Sequence, residues 1–364
     1  MNDTQYMHTA MQLALKAKGQ TSPNPMVGCL IVKGNKILAE GWHQAAGKDH
    51  AEVAALKKMD FKARGAKMYI TLEPCVHYGR TPPCVDSILR SGIKEIVVGM
   101  KDPNPLMNGK SIALLKKAGI KTKVGVLQKE LKQMNEAFIK YIKTRMPFVV
   151  AKCAQTLDGK IAAAAGDSKW ITSEKTRLFA RNLRNEFDAI LAGIETVLKD
   201  DPRLNPSQSA KCLKKIILDS RLRISPRARL FKGIRPSRCI LAVTKKARLK
   251  KIKFFQQRGV NVLICPERRG RIDLRWLFKE LAKKEIVSIL IEGGAHVIGS
   301  ALRENLVDKM HIYAAPRILG DEGALSSVAG LKAGKIAKAV FLKNLTVQKI
   351  GRDLFLTVYV YRNH

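Results

Sequence analysis

The chain has 364 residues, 46% of them apolar and 27% charged, with 67 Lys and Arg against 30 Asp and Glu. That length suffices for two domains with separate cores, and no run nears the about 18 consecutive apolar residues of a membrane-spanning helix. The positive excess lies in both halves and aromatics are only 6% of residues, so a basic, solvated surface fits better than a nucleic-acid stacking platform, with steering of anionic small molecules as a second use of the charge. The N-terminus, with Asp3 and no apolar core, does not read as a secretory signal. Of the seven Cys, Cys75 and Cys84 belong to the site below. Cys29, Cys153, Cys212, Cys239 and Cys265 read mostly as reduced core thiols, and the expected compartment is the cytoplasm.

Residues 1–145 are expected to form one unit of alternating helices and strands. A helix over 4–18 leads into the turn Ser22-Pro23-Asn24-Pro25, and strands Val27–Lys33 and Lys36–Trp42 meet at Gly34-Asn35 as a hairpin. A short helix starts from Asp49, its expected N-cap, and strand 68–72 follows. A second short helix is opened by Cys84 and ended at Gly92, before strand 95–100. Beyond Asp102-Pro103-Asn104-Pro105 come a helix over 110–118, a strand over 121–125 and a helix over about 129–143. This alternation predicts a three-layer α/β/α sandwich about a central sheet, with a boundary at Arg145-Met146-Pro147.

The chemistry of this half rests on His50-Ala51-Glu52, followed by Pro74-Cys75 and Cys84. One His and two Cys give Zn²⁺ three protein ligands and leave a fourth position open, which marks catalytic rather than structural zinc. The thiols sit where a helix N-terminus lowers a thiol pKa. Glu52, two residues past the His, is placed to move protons rather than to bind metal. His-x-Glu with a later Pro-Cys and second Cys is the pattern of zinc-dependent nucleobase deaminases, in which an activated water displaces ammonia from an amidine-like ring carbon. A core His with two buried thiols is the bland alternative, and Glu52 in register with them favours the metal.

Residues 146–364 begin a second α/β unit, mostly parallel with an antiparallel end. Strand Phe148–Ala154 comes first, and helix 173–187, with Ser173 as its cap, feeds strand 189–193. Strands over 215–218, 239–244, 260–265 and 288–292 follow, the last lying between helices 273–284 and 296–305. Segments 339–345 and 354–361 read as an antiparallel pair. Ile289–Gly299 runs from a strand through Gly293-Gly294 into a helix, whose free N–H groups suit a pyrophosphate. It is not Gly-x-Gly-x-x-Gly, so the residues alone leave nucleotide binding and a simple tight turn both open.

The order Pro23-Asn24-Pro25-x-Val27-Gly28, His50-Ala51-Glu52, Glu73-Pro74-Cys75, Gly79-Arg80-Thr81-Pro82-Pro83-Cys84, Asp102-Pro103-Asn104-Pro105 resembles the deaminase half of the bifunctional riboflavin-biosynthesis deaminase/reductases. The eight residues between Cys75 and Cys84 are unlike tRNA adenosine deaminases, whose second Cys follows sooner. The second half is similar to the family's reductase in Leu157-Asp158-Gly159-Lys160, Trp170-Ile171-Thr172, Gly193-Ile194-x-Thr196-Val197, Asp200-Asp201-Pro202-x-Leu204, Leu218-Asp219-Ser220 and Glu292-Gly293-Gly294.

The resemblance implies a cytidine-deaminase-like three-layer fold for residues 1–145 and a dihydrofolate-reductase-like α/β fold for 146–364. It implies that His50, Cys75 and Cys84 bind Zn²⁺, that Glu52 is the catalytic proton shuttle, and that Asn24 contacts the pyrimidine. It implies NADPH as the second cofactor, bound by Ala154, Trp170, Thr196, Asp200, Ser220, Gly293, Gly294, Ala295, His296, Val297, Ile298, Gly299 and Ser300. Ser168, Arg184, Leu204 and Glu292 would hold the ribosyl-phosphate substrate, with Lys152 near the reacting carbon. The implied reactions are hydrolytic loss of the 2-amino group of 2,5-diamino-6-ribosylamino-4(3H)-pyrimidinone 5′-phosphate, then hydride transfer to C1′ of the opened ribose. The implied partners are this small molecule and a second copy of the chain, joined through the reductase half, with no specific nucleic acid and no membrane. Two positions depart from the family: Ser207 stands where an Arg is common nearby, and Ser111 where Gly is expected. The rival within the same chemistry is a tRNA adenosine deaminase with a basic accessory domain.

Overall fold

The computed structural model describes residues 1–76, 83–105, 107–207 and 212–361, and its contacts divide the chain into two units, Met1–Arg145 and Met146–His364. Gly79, Arg80, Thr81 and Pro82 of the sequence pattern lie outside the described residues.

The first unit comprises α1 (Asp3–Leu15), β1 (Gly28–Lys33), β2 (Lys36–Trp42), α2 (Ala51–Lys57), β3 (Lys67–Leu72), α3 (Cys84–Arg90), β4 (Glu95–Met100), α4 (Lys110–Lys117), β5 (Lys121–Val124), α5 (Gln128–Met134) and α6 (Glu136–Thr144). Its sheet runs β2-β1-β3-β4-β5, with β1 antiparallel to both neighbours and the remainder parallel. Across the hairpin Gly28 pairs with Trp42 and Cys29 with Gly41, so Gly28 and Gly41 face opposite sides of the sheet. A Cβ on Gly28 would lie 2.0 Å from the Ala10 carbonyl oxygen of α1, and one on Gly41 2.2 Å from the Ala51 carbonyl oxygen of α2. The two helices therefore approach the sheet from opposite sides, at distances only glycine permits, and this makes the three layers. Met7, Leu30, Ile31, Met68, Ile70 and Ile96 fill the core between them.

Two local features of the first unit differ from the sequence expectation. Asp49 does not cap α2: His50 occupies the N-cap position without a side-chain cap bond, and the Asp49 carboxylate pairs instead with Lys57 at 2.6 Å. The expected single helix over 129–143 is two, α5 and α6, broken at Asn135. There the Asn135 amide accepts from Met26 N (2.9 Å) and donates to Met26 O (3.0 Å), and this pairing with a distant loop displaces helix continuation.

The second unit comprises β6 (Phe148–Thr156), β7 (Lys160–Ala162), α7 (Glu174–Leu183), β8 (Ala189–Gly193), α8 (Ile194–Asp200), β9 (Lys214–Leu218), β10 (Cys239–Val243), α9 (Leu249–Gln257), β11 (Asn261–Ile264), the ribbon β12 (Glu267–Arg268) and β13 (Arg271–Ile272), α10 (Leu274–Lys283), β14 (Ser288–Glu292), α11 (Ala295–Arg303), β15 (Lys309–Ala315), β16 (Leu325–Ser326), β17 (Leu342–Ile350) and β18 (Asp353–Val360). The main sheet runs β11-β10-β9-β8-β14-β6-β15-β18-β17, parallel up to β15 and antiparallel beyond it.

Seven of these elements have no counterpart in the sequence reading: the short strands β7, β12, β13 and β16, and the longer β15, α8 and α9. Strand β15 lies between β6 and β18, yet Lys309 and His311 interrupt its apolar pattern while themselves buried. Helix α9 carries Lys250, Lys251 and Lys253, a charge cluster that masks Ile252 and Phe255, the residues it buries. Helix α8 begins directly at the end of β8, with Gly193 as an N-cap lacking any side-chain bond, so no start signal marks it. Helix α7 ends at Leu183, short of 187, and one 3₁₀ turn over Arg184–Glu186 follows. Cys29, Cys153, Cys239 and Cys265 are buried, whereas Cys212 is exposed and is not a core thiol.

Candidate functional sites

In the first unit, β3 leads to Cys75 and α3 starts at Cys84, while His50 sits at the head of α2. The ligand atoms of His50, Cys75 and Cys84 all lie within 4.8 Å of one another. His50 Nδ1 is 3.1 Å from Cys84 Sγ and 3.5 Å from Cys75 Sγ. Zinc bonds of about 2.0 Å to nitrogen and about 2.3 Å to sulfur, at tetrahedral angles, require a separation of about 3.5 Å, so the donor set fits the ion. The Cys84 amide also donates to Cys75 Sγ at 3.3 Å. Cys84 and His50 together push the Cys75 thiol down to about 4, against the effect of burial, which supplies the thiolate a metal needs.

Glu52 lies in the first turn of α2 and is 3% exposed. Burial pushes its carboxyl up, His50 opposes this and Cys75 adds to it, to about 7. Asn24 Nδ2 is 3.1 Å from Nε2 of His43, whose Nδ1 lies 3.0 Å from the Asp49 carbonyl oxygen. A carbonyl only accepts, so Nδ1 carries the proton and Nε2 accepts from the Asn24 amide. His43, buried and edge-on to His50 at 5.4 Å between ring centres, was missed in the sequence because a lone His has no ligand spacing. Ser111 also has a reason to replace glycine. The Glu73 carboxylate accepts from Asp102 N, Gly109 N and Ser111 N and from the Ser111 hydroxyl, the last at 2.9 Å.

In the second unit, Lys152 of β6 pairs in register with Glu292 of β14 and His311 of β15, which puts the three on one face. Arg184, on the turn after α7, binds Glu292 through both oxygens at 2.8 Å and donates to the Asn205 carbonyl at 2.9 Å. Burial pushes the Glu292 carboxyl up, but Arg184 and then Lys152 outweigh it and hold the carboxyl below its usual range.

The carboxyl ends of the parallel strands gather the other residues, as α/β sheets do for ligands. Ser220 follows β9, Thr196 lies one turn past β8, Gly293-Gly294 follow β14 and Ala154 lies near the end of β6. Gly293 has φ +86°, and a Cβ there would lie 2.9 Å from Thr196 Cγ2, so the cradle admits only glycine beside Thr196. Gly294 is the N-cap of α11. Ala295 is buried, Val297 half-buried and His296 exposed on its first turn. Ile298, Gly299 and Ser300 are buried further along, and Ser300 Oγ accepts from Arg271 at 3.2 Å. That arrangement fits a diphosphate at the amides of the first turn. Trp170 is 61% exposed with the Arg177 guanidinium 4.2 Å from its ring centre. Ser168 and Asp200 are half-buried and Leu204 is buried with φ +53°. Ser207 Oγ accepts from Asn185 Nδ2 at 2.5 Å.

Residues 1–100 match the model for the cytidine and deoxycytidylate deaminase zinc-binding region, and residues 147–356 match that for the RibD C-terminal domain. The riboflavin biosynthesis protein RibD of Actinobacillus pleuropneumoniae is 41% identical over 99% of this chain and 96% of that protein. That of Aquifex aeolicus is 42% identical over 97% of each. The solved structure of Acinetobacter baumannii RibD is similar at a TM-score of 0.88 and 35% identity, covering 99% of both chains. A Thermotoga maritima diaminohydroxyphosphoribosylaminopyrimidine deaminase/5-amino-6-(5-phosphoribosylamino)uracil reductase gives 0.84 and 32%, again over 99% of both. The fold is cytidine-deaminase-like in the first half and dihydrofolate-reductase-like in the second. A match along the whole second half has no place in the tRNA adenosine deaminase alternative, which is set aside. The chain belongs to the RibD family, bifunctional enzymes of riboflavin biosynthesis that deaminate and reduce a pyrimidine ribotide with zinc and NADPH as cofactors.

Proposed function

We propose that residues 1–145 form the deaminase and residues 146–364 the reductase, each with its own residues for its step. His50, Cys75 and Cys84 would hold zinc, which would supply the Lewis acidity that makes water a nucleophile at neutral pH. Glu52 takes a proton from that water and delivers it to the departing 2-amino group, a transfer its burial beside the ligand cluster keeps out of bulk solvent. Asn24, its amide nitrogen engaged by His43, keeps its oxygen for an N–H of the pyrimidine.

NADPH supplies the hydride for C1′ of the opened ribose. Thr196, Gly293, Gly294 and the first turn of α11 would hold its diphosphate, and Ala154, Trp170, Asp200 and Ser220 would line the rest of its site. Arg184, Glu292, Ser168 and Leu204 hold the ribosyl phosphate, and Lys152, across the strand from Glu292, orients C1′. We assign the chain to the cytoplasm as a homo-oligomer joined through the reductase unit. The edge strand β17 supports the latter, because Leu345 and Val347 are 59% and 57% exposed on it and unpaired strand edges favour association.

The single observation that carries the reading is the convergence of His50, Cys75 and Cys84 beside buried Glu52. Expression of residues 1–145 alone tests it. The fragment should hold about one zinc per chain and release ammonia from the diaminopyrimidine ribotide without NADPH. A soluble fragment with neither zinc nor ammonia release refutes the assignment.

A further inference from the structure

Lys215 stands where β9 calls for an apolar residue. It is 1% exposed, between Ile190 of β8 and Cys239 of β10. Its Nζ donates to three oxygens, the Arg203 carbonyl at 2.6 Å, the Leu230 carbonyl at 2.7 Å and Asn205 Oδ1 at 2.7 Å. All three are neutral, and the charged group ranged against it, Arg184, carries the same sign. Burying an ammonium without a counter-ion is costly, and a Met or Leu here would avoid that cost. The ammonium's three bonds, its full donor complement, show what it does instead.

Two of the three go to one turn, Arg203-Leu204-Asn205. Leu204 there adopts φ +53°, a left-handed backbone that a branched side chain resists unless its surroundings impose it. The carbonyl of Asn205 is the third acceptor of Arg184, whose other donors bind Glu292. The turn therefore fixes the Arg184 fork from one side and Glu292 from the other, and Lys215 fixes the turn.

We infer that Lys215 is a positioning residue of the reductase: from strand β9 it holds the Arg203–Asn205 turn and, through it, the Arg184–Glu292 pair in substrate-binding geometry. The inference rests on the reductase reading above. Two variants of the full chain test it, Lys215→Met and Asn205→Ala, with the deaminated ribotide as substrate and NADPH affinity read separately by fluorescence titration. Losing the ammonium's bonds should raise the ribotide KM by about 10-fold, more than kcat falls, with the NADPH Kd within about twofold of wild type. Asn205→Ala, which removes one acceptor and leaves the lysine, should raise KM about threefold. A folded Lys215→Met protein with an unchanged KM overturns the inference, as does an NADPH Kd that rises in step with KM, the mark of general loosening. Should Lys215→Met not fold, Asn205→Ala decides, and an unchanged KM there overturns it equally. Wild-type protein that fails to reduce the ribotide at all would count against the reductase reading instead.

Discussion

Replacing Arg184 with Met leaves Glu292 inside the second unit without its partner. The pair is bidentate at 2.8 Å, with side-chain exposures of 18% for Arg184 and 11% for Glu292. Removing one member of such a pair costs about 3–5 kcal/mol, and the residual exposure together with nearby Lys152 argues for the lower end, about 3 kcal/mol. For a unit of this size that is a fall of about 6–12 °C in the melting transition. The pH dependence has a definite sign. In the wild type the Glu292 carboxyl is held below its usual range, so its contribution is present above the unfolded pKa and is lost as pH falls through the folded value. In the variant, burial acts without Arg184 and raises the carboxyl, so protonation on acidification favours the folded variant. The stability gap between the two proteins should therefore narrow as pH falls from 7 towards 4. Calorimetry across that range, with the reductase transition followed separately from the deaminase, checks both magnitude and slope. A gap below about 1 kcal/mol at pH 7, or one that widens in acid, would show that Arg184 does not neutralise Glu292 in this way.

Other substitutions probe the remaining assignments. Glu52→Gln should keep about one zinc per chain by metal analysis yet lose ammonia release at least ~100-fold, the scale of general acid–base catalysis; normal deamination would remove Glu52 from the mechanism. His43→Phe keeps the ring but frees the Asn24 amide, and should raise the KM for the diaminopyrimidine ribotide about 10-fold at unchanged zinc content. In Gly293→Ala the new Cβ would sit 2.9 Å from Thr196 Cγ2 at φ +86°, so fluorescence titration should show NADPH binding weakened at least ~10-fold.

The deaminase half was legible in sequence because its chemistry is local. His50, Glu52, Cys75 and Cys84 lie on or beside short elements whose strand and helix periods are clean, and the fold brings the donor atoms of His50, Cys75 and Cys84 within 4.8 Å of one another. What escaped depends on distant partners. Asn135 breaks a periodic helix because it binds Met26, 109 positions away. His43 acquires meaning only opposite Asn24 and the Asp49 carbonyl. In the second half, buried Lys309, His311 and Lys215 stand at strand positions where pattern reasoning counts charge as surface. Strand β17 was placed three residues early at its start and five at its end because eight of its nine residues are exposed, which erases the alternation that marks a half-buried strand. The same non-local polar contacts position Asn24 and Arg184, so the supporting residues were the least visible.

One chain carries both domains and takes one ribotide through the two steps in order. Purified protein given the diaminopyrimidine ribotide should release ammonia whether or not NADPH is present. With NADPH, one equivalent should be oxidised per ammonia, after ammonia appears and never before it. NADPH oxidation that precedes or proceeds without ammonia release would overturn this order of steps, as would ammonia release that fails unless NADPH is supplied.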